Sequence, residues 1–206
     1  MIDPGLKTYV ETEILPRYDT FDKAHRRPHA ERVIRDALAL AVHYPVDPAI
    51  LYAAAAFHDT GLCEDRATHH LVSGRIIRED PALPRWFSPE QIETIAQAAE
   101  DHRASLDHDP RSIYGRIIAE ADRQIEPETI VRRTVQYGLG HYPGLGREEH
   151  WQRTLDHLHE KYAAGGYLKL WIPESPNAGK LAELRRLIAD EVRLRALFED
   201  IFEEEK

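Results

Sequence analysis

Ala53-Ala54-Ala55-Ala56-Phe57-His58-Asp59-Thr60-Gly61 is the stretch on which the reading of this chain turns. It closes an alanine-rich apolar run that starts after Asp47-Pro48. Alanine is the strongest helix former, and aspartate followed by proline is a common helix opening. The run therefore predicts a buried helix over 48–59, stopped by Gly61. Its last two residues are an imidazole and a carboxylate, which lose hydration when buried and need something to satisfy both. A divalent metal does this, because neutral imidazole and carboxylate are ordinary ligands for such ions. A core histidine hydrogen-bonded to its neighbour meets the same demand, and the dipeptide alone leaves both readings open.

Working outward, the pattern is helical nearly everywhere. Val33, Ile34, Ala37, Leu38 and Ala41 recur at three- and four-residue steps and give one apolar face. Ser88-Pro89 and Asp109-Pro110 repeat the cap-then-proline opening, and Ser88-Pro89-Glu90-Gln91 reads as a capping box. Stops fall at the glycines and proline of 138–146 and at Gly165-Gly166. The expected helices are 6–15, 28–44, 48–59, 68–79, 89–101, 110–121, 127–138, 147–164 and 178–200. Tyr167 to Ile172 reads as a packed loop, and no alternating run is long enough to propose a sheet. The fold class is all-α, a single-domain helical bundle. An N-terminal helix occupies 1–21, a core 22–137, and a helical extension 138–206 packs on that core within the same domain. The acidic end, Glu199 to Glu205, reads as a frayed tail.

Composition bounds the function. The chain has 206 residues, 42% of them hydrophobic and 31% charged, as expected of a soluble protein with a real core. No apolar run approaches the roughly 18 residues that span a bilayer, and the N-terminus lacks the layout of a signal peptide, so a cytoplasmic protein without membrane partners is expected. A net charge of −9 argues against binding a nucleic-acid polymer. It leaves room for a small phosphorylated substrate. The single cysteine, Cys63, excludes a thiolate cluster. The twelve histidines are scattered and repeatedly stand beside carboxylates.

Three further elements resemble His58-Asp59 in character. His29 opens a strong amphipathic helix, where a cap or half-exposed role is also ordinary. Asp122 ends the apolar stretch from Ile113, where an ion pair is also ordinary. Glu100-Asp101-His102-Arg103 closes the helix over 89–101. His29, His58-Asp59 and Asp122 all stand at ends of separate apolar helices, which makes joint use stronger than any one residue suggests.

His29, then His58-Asp59 before Gly61, then Asp122 between Ala121 and Arg123 resembles the HD superfamily of metal-dependent phosphohydrolases. The stretch Asp22-x-x-His25-x-x-x-His29-x-x-Arg32-Val33 is similar to the start of small bacterial HD hydrolases. The resemblance covers roughly 22–137. It implies a helical bundle in which His29, His58, Asp59 and Asp122 bind one divalent metal, drawn from Mn, Fe, Zn, Ni and Mg. His69, His70 and His102 fall where two-metal members carry further ligands, and as readily suit contacts to phosphate. Glu64 or Asp65 would activate water, as an acid does in some members. His25, Arg26, Arg103 and Arg123 flank the motifs and would hold the substrate, since a guanidinium grips phosphate through paired hydrogen bonds. The expected reaction is hydrolysis of a phosphomonoester or phosphoanhydride, nucleotide-like by resemblance, through metal-activated water. The alternatives are a di-iron oxygenase-like enzyme and a non-catalytic nucleotide- or metal-binding module. A homodimer is compatible with the apolar helix from Ala178.

Overall fold

Proline at the first helical turn has no N–H to waste and a backbone angle already set for the helix. Five of the ten α-helices among the described residues place proline there: α1 (Pro4–Tyr9), α2 (Arg27–Ala41), α3 (Pro48–Phe57), α5 (Pro89–Glu100) and α7 (Pro127–His141). The others are α4 (His69–Glu79), α6 (Ile113–Asp122), α8 (Arg147–Tyr162), α9 (Asn177–Ala189) and α10 (Glu191–Glu205). The computed structural model describes residues 1–22 and 25–206, and among these there is no strand. Lys23 and Ala24, inside the first histidine-bearing motif, lie outside the described residues. The expected all-helical bundle is what the chain forms.

Two compact units divide it. One comprises Met1–Arg123 with Trp171–Ser175, the other Gln124–Leu170 with Pro176–Lys206. In the first, α3 is the central element, packed by α2, α5 and α6. Every residue from Ile50 to Phe57 is buried, and the four alanines among them let the surrounding helices approach closely. The N-terminal segment covers this core with Leu6, Val10, Ile14, Leu15 and Tyr18. It runs on past α1 as a π-helical turn, Val10–Ile14, and a 3₁₀ turn, Leu15–Thr20. Pro16 accounts for the change of winding, since its ring crowds the carbonyl four residues back and it offers no N–H.

Boundaries moved where a side chain claimed the cap. The capping box at Ser88 forms as expected. The helix expected from Pro110 starts instead at Ile113, with Ser112 Oγ accepting from the Gly115 N–H at 3.2 Å. The preceding loop is tied elsewhere, because Asp101 accepts from the Arg111 N–H at 2.7 Å and from Arg111 Nε at 2.9 Å.

The second unit packs α7, α8, α9 and α10 around Val131, Leu158, Leu184, Leu194 and Phe198. Two expectations are corrected there. The single helix expected over 178–200 is two, broken at Asp190, whose side chain accepts from the Arg193 N–H at 3.1 Å and so opens α10. The end of the chain is not frayed. Ile201 and Phe202 are buried, and Phe202 sits 5.4 Å from Phe198, ring to ring. No helix among the described residues is long and apolar enough to cross a membrane.

Candidate metal centre

The centre lies in the first unit and is built from helix ends. His29 is the third residue of α2. His58 is the first residue beyond α3 and keeps helical backbone angles, whereas Asp59, at φ −108° and ψ 5°, has left the helix. His69 opens α4, His102 follows α5 by two residues, and Asp122 ends α6. The motif-bearing helices thus deliver their polar ends to one place.

Asp59 stands at the middle. Its Oδ2 is 3.3 Å from His29 Nε2 and 3.2 Å from His58 Nε2. Its Oδ1 is 3.3 Å from His69 Nε2 and 3.4 Å from His102 Nε2. One carboxylate therefore faces two histidine pairs, one pair on each oxygen. Asp122 Oδ1 joins the first pair, at 3.3 Å from His29 Nε2 and 3.9 Å from His58 Nε2. Within each pair the Nε2 atoms are 3.1 Å apart.

The outer nitrogens of three of these rings settle which nitrogen carries the proton. His58 Nδ1 lies 2.7 Å from the Ala55 carbonyl, His69 Nδ1 2.7 Å from that of Arg66, and His102 Nδ1 2.5 Å from that of Ala99. A carbonyl only accepts, so each Nδ1 donates, and a neutral ring then points a bare Nε2 lone pair inward. His69 and His102 thus turn two lone pairs toward each other with a carboxylate oxygen beside them. Nothing in that set donates unless a ring gains a proton. A cation resolves the conflict, and histidine anchored through its far nitrogen is the usual arrangement at metal sites. The two donor groups that could hold an ion are His29, His58, Asp59 and Asp59, His69, His102, with Asp122 adjoining the first.

Without metal the groups polarise one another. Burial works against charge on His58, but Asp59 and Asp122 together push its pKa up to about 9. Burial and the neighbouring His102 bring His69 down to about 4, and burial also lowers His29. Burial would raise Asp59, yet the surrounding histidines hold it well below the ordinary carboxylate range. Asp122 is held low in the same way, mainly by His29 and His58.

The other expected site residues are placed less uniformly. His70 is buried but belongs to neither donor group, and its Nδ1 has no hydrogen-bond partner. His25 faces Asp22, with Nδ1 2.9 Å from both carboxylate oxygens, and its ring stands 5.6 Å from that of His29. Glu64 is exposed and paired with Arg75 at 2.5 Å. Asp65 accepts from the Thr68 N–H at 3.1 Å and its hydroxyl at 3.0 Å, which lowers its pKa and commits it to the turn before α4. Arg123 donates back to the Ala119 carbonyl, and Arg103 to the Ala67 carbonyl two residues before His69. Arg26 is exposed. Neither Glu64 nor Asp65 is brought into the donor groups.

Three supporting residues were given no role by the sequence reading. The buried Tyr18 hydroxyl donates to the Ala56 carbonyl at 2.8 Å and accepts the Asp59 N–H at 3.3 Å, which fixes the chain where it leaves α3. Ser73 Oγ accepts the Gly61 N–H at 2.9 Å. Arg32 reaches the end of α6. Only Arg32 carried a signal, its three-residue spacing from His29. Gly61 itself is required by close approach: a Cβ there would lie 2.1 Å from the His69 carbonyl oxygen and 2.6 Å from the Ser73 nitrogen.

The helical scaffold thus closes two histidine pairs on a shared carboxylate, a donor set that could hold a divalent metal. Residues 26–124 match the family model of the HD domain. The matched span contains every residue of both donor groups and Asp122. No curated protein and no solved structure gives a match. An HD domain implies metal-dependent phosphohydrolase activity in general terms.

Proposed function

We propose that this protein is a metal-dependent hydrolase of a small, nucleotide-like phosphomonoester or phosphoanhydride. The observation that carries the reading is Asp59, whose two oxygens each face a histidine pair with inward Nε2 atoms. His29, His58, Asp59 and Asp122 would hold one divalent ion, and Asp59, His69 and His102 a second. Bound there, such ions supply an acidified water and a Lewis acid for a phosphoryl oxygen. The protein's own part is positional. The carbonyls of Ala55, Arg66 and Ala99 orient the rings, and the buried setting strengthens every charge interaction. Arg26, Arg103 and Arg123 are the arginines proposed to meet substrate phosphate.

The test is phosphate release from a panel of nucleotides and sugar phosphates by protein stripped with chelator and reloaded with Mn²⁺. Hydrolysis restored by Mn²⁺ and lost in Asp122→Ala is the expected result. Undiminished hydrolysis by Asp122→Ala in excess metal overturns the assignment. Two metals on a shared carboxylate also suit iron, so oxygen consumption by iron-loaded protein without phosphate release would favour the oxygenase reading instead.

A further inference from the structure

Asp122 is the last residue of α6, where helix geometry leaves the final carbonyls without intrahelical partners. A carboxylate in such a place tends to fray with its helix end, yet here it must face a histidine on another helix to within a few tenths of an ångström. Something has to hold it.

Arg32 reaches that helix end. Its Nη1 donates to the Ala121 carbonyl at 2.9 Å and its Nη2 to the Asp122 carbonyl at 3.0 Å. Its Nη2 also lies 3.3 Å from His29 Nδ1, and Asp36 lies 3.4 Å from Nη1. Its side chain is only 18% exposed. One planar cation thus spans the first metal-facing histidine of α2 and the last two carbonyls of α6. A positive charge is favoured at a helix C-terminus. Because Arg32 binds main-chain oxygens, the Asp122 carboxylate stays free to turn toward His29 Nε2, 3.3 Å away.

We infer that Arg32 is a positioning residue that fixes the end of α6 against α2 and thereby sets the metal affinity of the His29–His58–Asp59–Asp122 half of the centre. This rests on the metal reading above. Two parallel donors in a rigid fork meet two successive carbonyls, a geometry that a lysine ammonium, as a point charge, does not reproduce. Loss of residues that orient ligands commonly costs ten- to a hundredfold in metal affinity.

The experiment is Mn²⁺ titration by calorimetry of chelator-stripped wild type, Arg32→Gln and Arg32→Lys, with helicity measured on the same samples. Arg32→Gln is expected to bind Mn²⁺ at the first half about ten- to a hundredfold more weakly while retaining binding at the His69–His102 half. Arg32→Lys is expected to lie between that variant and wild type. Lowered thermal stability with unchanged Mn²⁺ affinity in Arg32→Gln would make the residue merely structural and overturn the inference. Should Arg32→Gln fail to fold, Arg32→Lys decides, and wild-type affinity in that variant overturns it equally. A wild-type protein that binds no Mn²⁺ removes the metal reading itself, and this inference with it.

Discussion

Raising the pH of metal-free protein from 6.5 to 8.5 is expected to destabilise it, and saturating Mn²⁺ to abolish that loss. The cause is His58, fully buried and pushed up to about 9 by Asp59 and Asp122 against the cost of burial. A folded-state pKa above the unfolded value gives stability that is complete below the unfolded pKa and disappears as pH climbs through the folded one. The rise from 6.5 to about 9, at about 1.4 kcal/mol per tenfold change in proton affinity, is on the order of 3 kcal/mol, and most of it falls before pH 8.5. His69, lowered to about 4, works on the other side. Its contribution is present above 6.5 and lost as pH falls toward 4, so the metal-free protein should be most stable near 6.5. Metal requires the deprotonated imidazole, so its binding strengthens over the range where the proton's contribution fades. The assay is urea unfolding followed by helicity at pH 6.5, 7.5 and 8.5, with chelator and again with Mn²⁺. Asp59→Asn, which removes the chief opposing charge, should flatten the metal-free decline. A metal-free midpoint that is level or rising from 6.5 to 8.5, or an unchanged decline in Asp59→Asn, would refute the reasoning.

Gly61→Ala should cost roughly 1–3 kcal/mol in urea unfolding, because the two nearest atoms its Cβ would meet belong to the backbone of α4. It should also reduce bound Mn²⁺ by displacing His69, and wild-type stability with full Mn²⁺ content would contradict this. Tyr18→Phe keeps the buried ring but strands the Ala56 carbonyl and the Asp59 N–H. A loss of about 1–3 kcal/mol in the same assay is expected, and a variant as stable as wild type would show that these groups find other partners.

The elements themselves were legible because helix signals are local. The box at Ser88 and the apolar run before His58 need only their neighbours to be read. Asp190 was misread for the opposite reason. The apolar spacing runs straight through it, and only its role as a cap to Arg193 reveals the break. Likewise the acidic end reads as solvated until Phe198 is seen to shelter Phe202. At the centre, His29, His58, Asp59 and Asp122 were singled out through the order of motifs, and the fold brings them together. That Asp59 serves two histidine pairs was not legible, since it depends on where α4 and α5 end in space. Glu64 and Asp65 were read from proximity in sequence alone, and three-dimensional contacts give them to Arg75 and Thr68.

The adjacency of His58 and Asp59 poses a geometric problem that the fold solves by stopping a helix between them. Neighbouring side chains on a helix diverge by about 100°, so a continuous α3 would aim the two apart. His58 keeps the helical backbone while Asp59 leaves it, and Thr60 Oγ1 takes the freed Phe57 carbonyl at 2.8 Å. The pair then converges on one point, with Oδ2 3.2 Å from Nε2. Asp59's other oxygen is thereby left facing α4 and the end of α5. The result is asymmetric. Among the described residues, the first half gathers donors from His29, His58, Asp59 and Asp122, whereas the second has Asp59, His69 and His102. Were ions bound, the half with three protein donors would leave more of its ion to water or substrate than the half with four. The chemistry is therefore expected on the His69–His102 side, with the Asp122 side holding Asp59 in place. Activity should accordingly depend more steeply on His102 than metal content does.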